Sequence, residues 1–345
     1  MKIKSFYVLA IAVAMAFTSC RKGNEIKPAL NTEENEAMAA TVMAASGVPQ
    51  NSVITIAGGP YTTGPTLVNG TGRNAHFNGP VGIQLMDDGT IYVADAHNNV
   101  IRKVTQAGLV STFGIPKPGS TPLSEPQYIG ITKSGTVNII AKDPGEGFSE
   151  GRIYKPDGTL VILNTFFYAI FVTLAKDPYE DVFWFNAGTS TRKFLPNSSG
   201  SLGTNSLEYS NEFLPEFPEA HPFFRGLFVG YNKVTYFTYN NQIYKHTPSN
   251  IGALIFPGLF FENITCIIAN KDSRTIYVAD NGYIKRIDNG RLSTIAGPNK
   301  TNPDGRDGVG FKADVNAQYL ALGKDESTLY FSDTKANAIR KIVLK

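Results

Sequence analysis

The sequence predicts an all-β fold built from repeated four-stranded antiparallel units, and three observations carry that expectation. The first is the stretch Ala75 to Gly114. It holds four short apolar runs (Val81 to Leu85, Thr90 to Ala94, Val100 to Val104, Leu109 to Phe113) separated by Asp87-Asp88-Gly89, Ala96 to Asn99 and Gln106 to Gly108. That is the punctuation of a meander. The second is recurrence. The run IYVAD begins at Ile91, and comparable second-strand runs begin at Val137, Val182, Val234, Ile276 and Leu329, spaced 46, 45, 52, 42 and 53 residues apart. Periods of this length signal propellers and similar arrays. The third is chemistry: the runs are β-branched and aromatic, and the 33 Gly and 20 Pro fall between them, which disfavours a helical repeat.

Taken in order, the chain opens on a separate element. Lys2 and Lys4 precede an apolar run from Phe6 to Phe17, too short for a comfortable membrane span, and then Thr18-Ser19-Cys20. This predicts an export signal over residues 1–19. The FTSC at Phe17 to Cys20 resembles the bacterial lipobox, with Phe17 a departure from the usual Leu. The resemblance implies that Cys20 becomes the lipidated first residue of the mature protein and anchors it to the membrane. Residues 20–50 are polar, acidic in patches and then Ala-rich, the composition of a flexible tether. The signal is similar in style to those of Bacteroidetes, but Arg21-Lys22-Gly23-Asn24 lacks the early acidic cluster of a surface-export tag. The expected address is the cell envelope at the outer membrane, with periplasmic and outer-surface exposure both open.

Residues 51–345 form the expected folded domain. Val53 to Gly58 (VITIAG) is a strand without a unit of its own, and its internal relatives, Leu109 to Gly114 and Leu292 to Gly297, each end a repeat. The last repeat, Phe311 to Lys345, lacks such a final strand. Asn69-Gly70-Thr71-Gly72, Ala75 to Ile83, IYVAD and VIRKV together resemble an NHL-repeat β-propeller, and Asp307 to Phe311 with Ala338 to Ile342 resembles a second copy. The resemblance is strong in units one, five and six. It implies a six-bladed propeller of four-stranded antiparallel blades, with strand 53–58 completing the C-terminal blade and closing the ring.

Composition narrows function. The formal charge is +3, from 32 basic and 29 acidic residues without basic blocks, which argues against nucleic acid. Of two cysteines, Cys266 would remain alone in the run Ile264 to Ala269, as a small buried hydrophobe. Asp95, Asp280 and Asp333 end second strands. Their recurrence favours a structural role, tying turns or meeting Arg102, Arg286 and Arg340. The histidines His76, His97, His221 and His246 form no metal-binding pair, and no nucleotide-binding or nucleophile motif is present.

The sequence is richest in aromatics between Phe166 and Phe261, with 23 of the 39. Within it, Asn197 to Phe224 reads as a loop-like insertion bearing Tyr209, Phe213 and Phe217 beside Glu208, Glu212 and Glu216. Aromatic faces and carboxylates of this kind suit a glycan or a protein partner. The expected function is therefore a monomeric, non-catalytic binding module that needs no cofactor and takes a glycan or an envelope protein. Two other readings stay open: a metal-assisted lyase or hydrolase at the central channel, using His97 and Asp95 with a metal on the axis, and a structural scaffold.

Overall fold

The computed structural model describes residues 47–345 except 61–63, 65, 115–121, 143–148, 164–172, 188–189, 194–206, 210–223, 232–233, 248–249 and 302. Cys20, the signal and most of the tether lie outside the described residues, as do Glu212, Phe213, Glu216, Phe217 and His221. Among the described residues the strands form six antiparallel sheets, and the fold is an all-β propeller with antiparallel four-stranded blades.

Each sheet is a meander. The first runs through Pro80–Leu85, Ile91–Asp95, Val100–Val104 and Leu109–Thr112, with Gly70–Thr71 added at its outer edge. The second uses Tyr128–Ile131, Val137–Lys142, Ser149–Tyr154 and Leu160–Leu163, and the third Leu174–Lys176, Phe183–Ala187, Ser190–Lys193 and Leu207–Tyr209. The fourth comprises Phe224–Val229, Thr235–Tyr239, Gln242–Thr247 and Asn250–Ile255, and the fifth Ile264–Ala269, Thr275–Asp280, Tyr283–Asp288 and Arg291–Ala296. The sixth takes Ala317–Leu322, Thr328–Asp333 and Ala338–Val343 from the C-terminus and Ser52–Gly58 from the N-terminal side, with Gly308–Val309 outermost.

Val53 pairs with Ile342, Thr55 with Arg340 and Gly58 with Ala338, so the strand without a unit lies antiparallel to the last one. Gly58 adopts φ +79°, and a Cβ there would meet the Asn337 carbonyl oxygen at 2.3 Å. Only glycine fits that contact.

The first strands of successive sheets touch in order from Pro80–Leu85 to Ala317–Leu322, and the last of them touches the first. A sheet with two apolar faces must bury both, and stacking against two neighbours does so. One buried apolar cluster accordingly sits at every junction. Ile101 meets Ile139, Ile140 meets Phe185, and Trp184 meets Phe237. Beyond these, Ile243 joins Ile267, Cys266 joins Leu320, and Phe77 joins Ile339. Each fully buried side chain of this size is worth about 1.5–3 kcal/mol.

Asparagines at the turns between second and third strands tie neighbouring sheets. Asn99, Asn241 and Asn337 adopt left-handed φ of 57°, 57° and 49°. Their side-chain oxygens accept the backbone N–H of Glu125, Ile264 and Gly79, each at the entry of the next sheet. Asn tolerates this conformation with little strain, which explains its recurrence there.

Two expectations need correction. The segment Asn197 to Phe224 is not wholly a loop: Leu207–Tyr209 is the outer strand of the third sheet, paired with Ser190–Lys193, and Phe224 opens the fourth sheet. A four-stranded blade needs an outer strand, and LEY supplies it without the repeat's motif. Arg286 does not meet Asp280. Lys285, one residue earlier, does so at 2.6 Å, because alternation along the strand turns Arg286 to the other face.

Candidate functional site

The repeated aspartates are anchors. Asp95 is completely buried and accepts the Asn78 N–H (2.7 Å), the Asn98 side-chain amide (2.9 Å) and Arg102 Nη1 (3.0 Å). Arg102, equally buried, also donates to the carbonyls of His76 and Val68 and to Asn69 Oδ1. Asp333 and Arg340 repeat the arrangement in the sixth sheet, where Arg340 reaches the Asp314 and Arg306 carbonyls. Burial pushes the Asp95 carboxyl above the ordinary carboxylate range, while the bonds from Asn98, Asn78 and Arg102 act against it. With its oxygens enclosed by these donors, Asp95 serves the fold.

His97 lies at the surface in the short 3-10 turn Ala96–Asn98, its backbone N–H bonded to the Asn78 carbonyl. The Asp95 carboxylate faces inward to Arg102, so the two residues do not form a shared acid–base site. Glu208 and Tyr209 belong to the outer strand Leu207–Tyr209. Burial lowers the pKa of His246, on the third strand of the fourth sheet. Among the described residues no group of three His, Cys, Asp or Glu side chains comes together as a metal site.

The axis is crossed by a side chain. Tyr319, on the first strand of the sixth sheet, donates its hydroxyl to the Leu174 carbonyl of the third sheet at 2.6 Å and packs edge-on against Tyr128 of the second. Desolvation pushes this hydroxyl well above the usual tyrosine range, so it stays a proton donor. Neighbouring first strands are stitched as well. Gln84 donates its amide to the Ile131 carbonyl and accepts the Ile131 N–H, and Ser332 donates to the Val81 carbonyl. These bonds occupy polar groups that an open channel would offer to ligand.

What remains open is the mouth where first strands run into second strands. A cavity of about 310 Å³ lies there between the first, fourth, fifth and sixth sheets. Leu85, Phe228, Ile268 and Leu322, at or near the ends of four first strands, give it apolar walls, while Lys271, Lys324 and Glu326 supply charge. Tyr231, exposed at the rim, meets the more exposed Tyr179 edge-to-face with ring centroids 6.0 Å apart. Lys271 is held in place: its backbone N–H bonds Glu326 Oε1 at 2.7 Å and its ammonium the Lys324 carbonyl at 3.0 Å. An apolar depression with an aromatic rim and a few fixed polar groups is the usual form of a small-ligand site.

None of these residues belongs to the set expected from sequence. The signal available was positional: Asp87, Tyr179, Tyr231, Lys271 and Lys324 all fall in the turns between first and second strands. A propeller gathers those turns at one end.

The fold defines the class, a β-propeller with antiparallel four-stranded blades. Residues 77–103 match the NHL repeat family model, so the chain carries an NHL repeat within that propeller. No curated protein sequence matches the chain. Among solved structures, a Bacteroides thetaiotaomicron protein of unknown function shares 18% identity, with a TM-score of 0.60 over 85% of this chain and 76% of its own. An auxiliary nutrient binding protein from Bacteroides ovatus shares 14% identity, with a TM-score of 0.60 over 86% and 77%. A gluconolactonase from Xanthomonas campestris shares 10%, with a TM-score of 0.52 over 87% and 99%. At these identities the likeness is one of fold.

Proposed function

We propose that this protein is a non-catalytic binding module of the bacterial envelope, and that it holds a glycan at the propeller mouth. The observation that carries the reading is the Tyr179–Tyr231 pair standing exposed beside an apolar depression of ligand size. Exposed aromatic faces are costly to leave in water and stack on the C–H faces of sugar rings. We read the six sheets as six blades of one ring, closed by hydrogen bonds between Ser52–Gly58 and Ala338–Val343. Closure makes the mouth a rigid platform, which lowers the entropic cost of binding. Two supports come from outside the site: the fold is shared with a nutrient binding protein of Bacteroides, and the lipobox-like FTSC fits an anchored envelope protein. No helix among the described residues is long and apolar enough to cross a membrane, and in this reading the lipid on Cys20 provides the attachment.

The test is titration of the purified protein against a panel of neutral and acidic oligosaccharides, with the Tyr179→Ala/Tyr231→Ala double variant alongside. Loss of two stacking contacts should weaken binding at least about tenfold, or 1.4 kcal/mol, with an unchanged melting temperature. Binding that ignores the double substitution, or a panel without a ligand, refutes the reading.

A further inference from the structure

Beside the mouth lies a second cavity, of about 270 Å³, in the groove between the fifth and sixth sheets. Glu326 lines both cavities, so they share a wall. Their chemistry differs. The mouth is floored by apolar side chains, whereas the groove is lined by Arg286, Tyr277, Asn270 and Thr275.

The groove holds hydrogen-bond donors that the protein leaves unused. Among the described residues the Arg286 side chain bonds only through Nη2, to Asp288 at 2.9 Å, and its buried Nε has no partner. Tyr277 is 5% exposed, and among the described residues its hydroxyl has no hydrogen-bond partner. Burial raises the pKa of that hydroxyl, Arg286 opposes the rise, and Glu326 and Asp288 add to it. It therefore stays protonated and able to donate. Two further polar groups are engaged: Asn270 Oδ1 accepts the Thr275 N–H, and the Gln50 amide donates to the Leu344 carbonyl. Arg286 Nε shares its lack of a partner with Arg102 Nε and Arg340 Nε, so the donors that face the groove are the Tyr277 hydroxyl and the outer nitrogens of the Arg286 guanidinium.

Glu326 adds a second constraint. Its backbone is left-handed, φ 58°, at a turn position where glycine or asparagine would be easier. One of its oxygens holds the Lys271 N–H, and among the described residues the other has no hydrogen-bond partner. The dividing wall thus offers an acceptor between a donor-rich groove and an apolar mouth. A neutral hydrocarbon would waste these groups, and a phosphate, at about twice the charge of a carboxylate, would be repelled more strongly by Glu326 and by the Asp288 that pairs with Arg286. A ring carrying both hydroxyls and a carboxylate satisfies them, since a carboxylate matches the planar fork of a guanidinium.

We propose that the groove is an acidic-sugar subsite: Arg286 and Tyr277 bind the carboxylate of a hexuronate unit, Glu326 accepts one of its hydroxyls, and the adjoining sugar occupies the mouth. This inference rests on the mouth being the glycan site.

The experiment compares one oligogalacturonide with the same oligosaccharide after chemical reduction of its carboxylates, by calorimetric titration of the wild type, Tyr277→Phe, Arg286→Gln and Tyr231→Ala. The acidic form should bind wild type at least tenfold more tightly than the reduced form. Tyr277→Phe and Arg286→Gln should each shrink that ratio by at least threefold and leave the affinity for the reduced form unchanged. Tyr231→Ala should weaken both forms alike. Equal binding of the two forms by wild type overturns the subsite and leaves the mouth intact as a glycan site. A preference that survives Arg286→Gln also overturns it, placing the recognition at another cation, Lys345 in the groove or Lys324 at the mouth. Binding of neither form overturns the subsite, and the neutral panel then decides the mouth. Melting temperatures within 2 °C of wild type would establish that the variants fold.

Discussion

Replacing Asp95 tests the anchor at its centre. At neutral pH, Asp95→Ala leaves the Arg102 guanidinium, wholly buried, without its counter-ion, and strips partners from the Asn78 N–H and the Asn98 amide. Breaking a buried pair from one side costs about 3–5 kcal/mol, far more than a surface ion pair contributes. Arg102→Lys is a milder cut. A lysine can keep Asp95, as Lys285 keeps Asp280 in the fifth sheet, but cannot also reach the Val68 carbonyl and Asn69 Oδ1. Two hydrogen bonds at about 0.5–1.5 kcal/mol each put that loss near 1–3 kcal/mol. The double variant Asp95→Ala/Arg102→Met removes both charges and should be less unstable than the sum of its single replacements, because no orphaned ion remains. Equilibrium unfolding in guanidinium, followed by the fluorescence of the single tryptophan, Trp184, and by circular dichroism, measures all of these. An Asp95→Ala protein within 1 kcal/mol of the parent, or a strictly additive double variant, would refute the argument that the pair anchors the first sheet.

Two further outcomes follow from the packing. Desolvation pushes the Cys266 thiol up to about 12, and its Sγ faces the Leu320 N–H at 3.4 Å. In a Cys20→Ser background, Cys266 should therefore resist a thiol reagent at pH 8 until denaturant is added, and rapid labelling of the native protein would contradict the burial. Deleting residues 51–58 should lower the melting temperature by more than about 10 °C, as expected for losing several kcal/mol in a domain of this size. Deleting residues 21–45 should leave it within 2 °C, and equal melting of the two truncations would rule out closure by this strand.

The fold was legible because its determinants are local and repeated. IYVAD at Ile91 and at Ile276 specifies a strand by its β-branched alternation, and both form as expected, Ile91–Asp95 and Thr275–Asp280. The pairing of Val53 to Gly58 with the last strand could be read because the first unit and the fifth end on similar strands while the last lacks one. The site was not legible, for a geometric reason. Tyr179 and Tyr231 are 52 residues apart in sequence and gain meaning only when two hairpin turns meet. Local pattern does not report which turns share an end. The pairing of Asp280 with Lys285 shows the same limit at finer grain. Two adjacent cations, Lys285 and Arg286, follow the acid, and only the alternation of strand faces selects between them.

The pairing of the last strand, Ala338–Val343, with the N-terminal strand Ser52–Gly58 also sets a waiting time during synthesis. Gln50 and Leu344, joined by a hydrogen bond, are 294 residues apart. At about 5–20 residues per second, the earlier half of that junction waits roughly 15–60 s for the later half to leave the ribosome. Throughout that interval VITIAG, uncharged and β-branched, is an unpaired strand, the kind of edge that recruits a neighbouring chain. Slower translation of the C-terminal third should therefore lower the yield of folded protein before it has any bearing on the stability of molecules in which the two strands have paired.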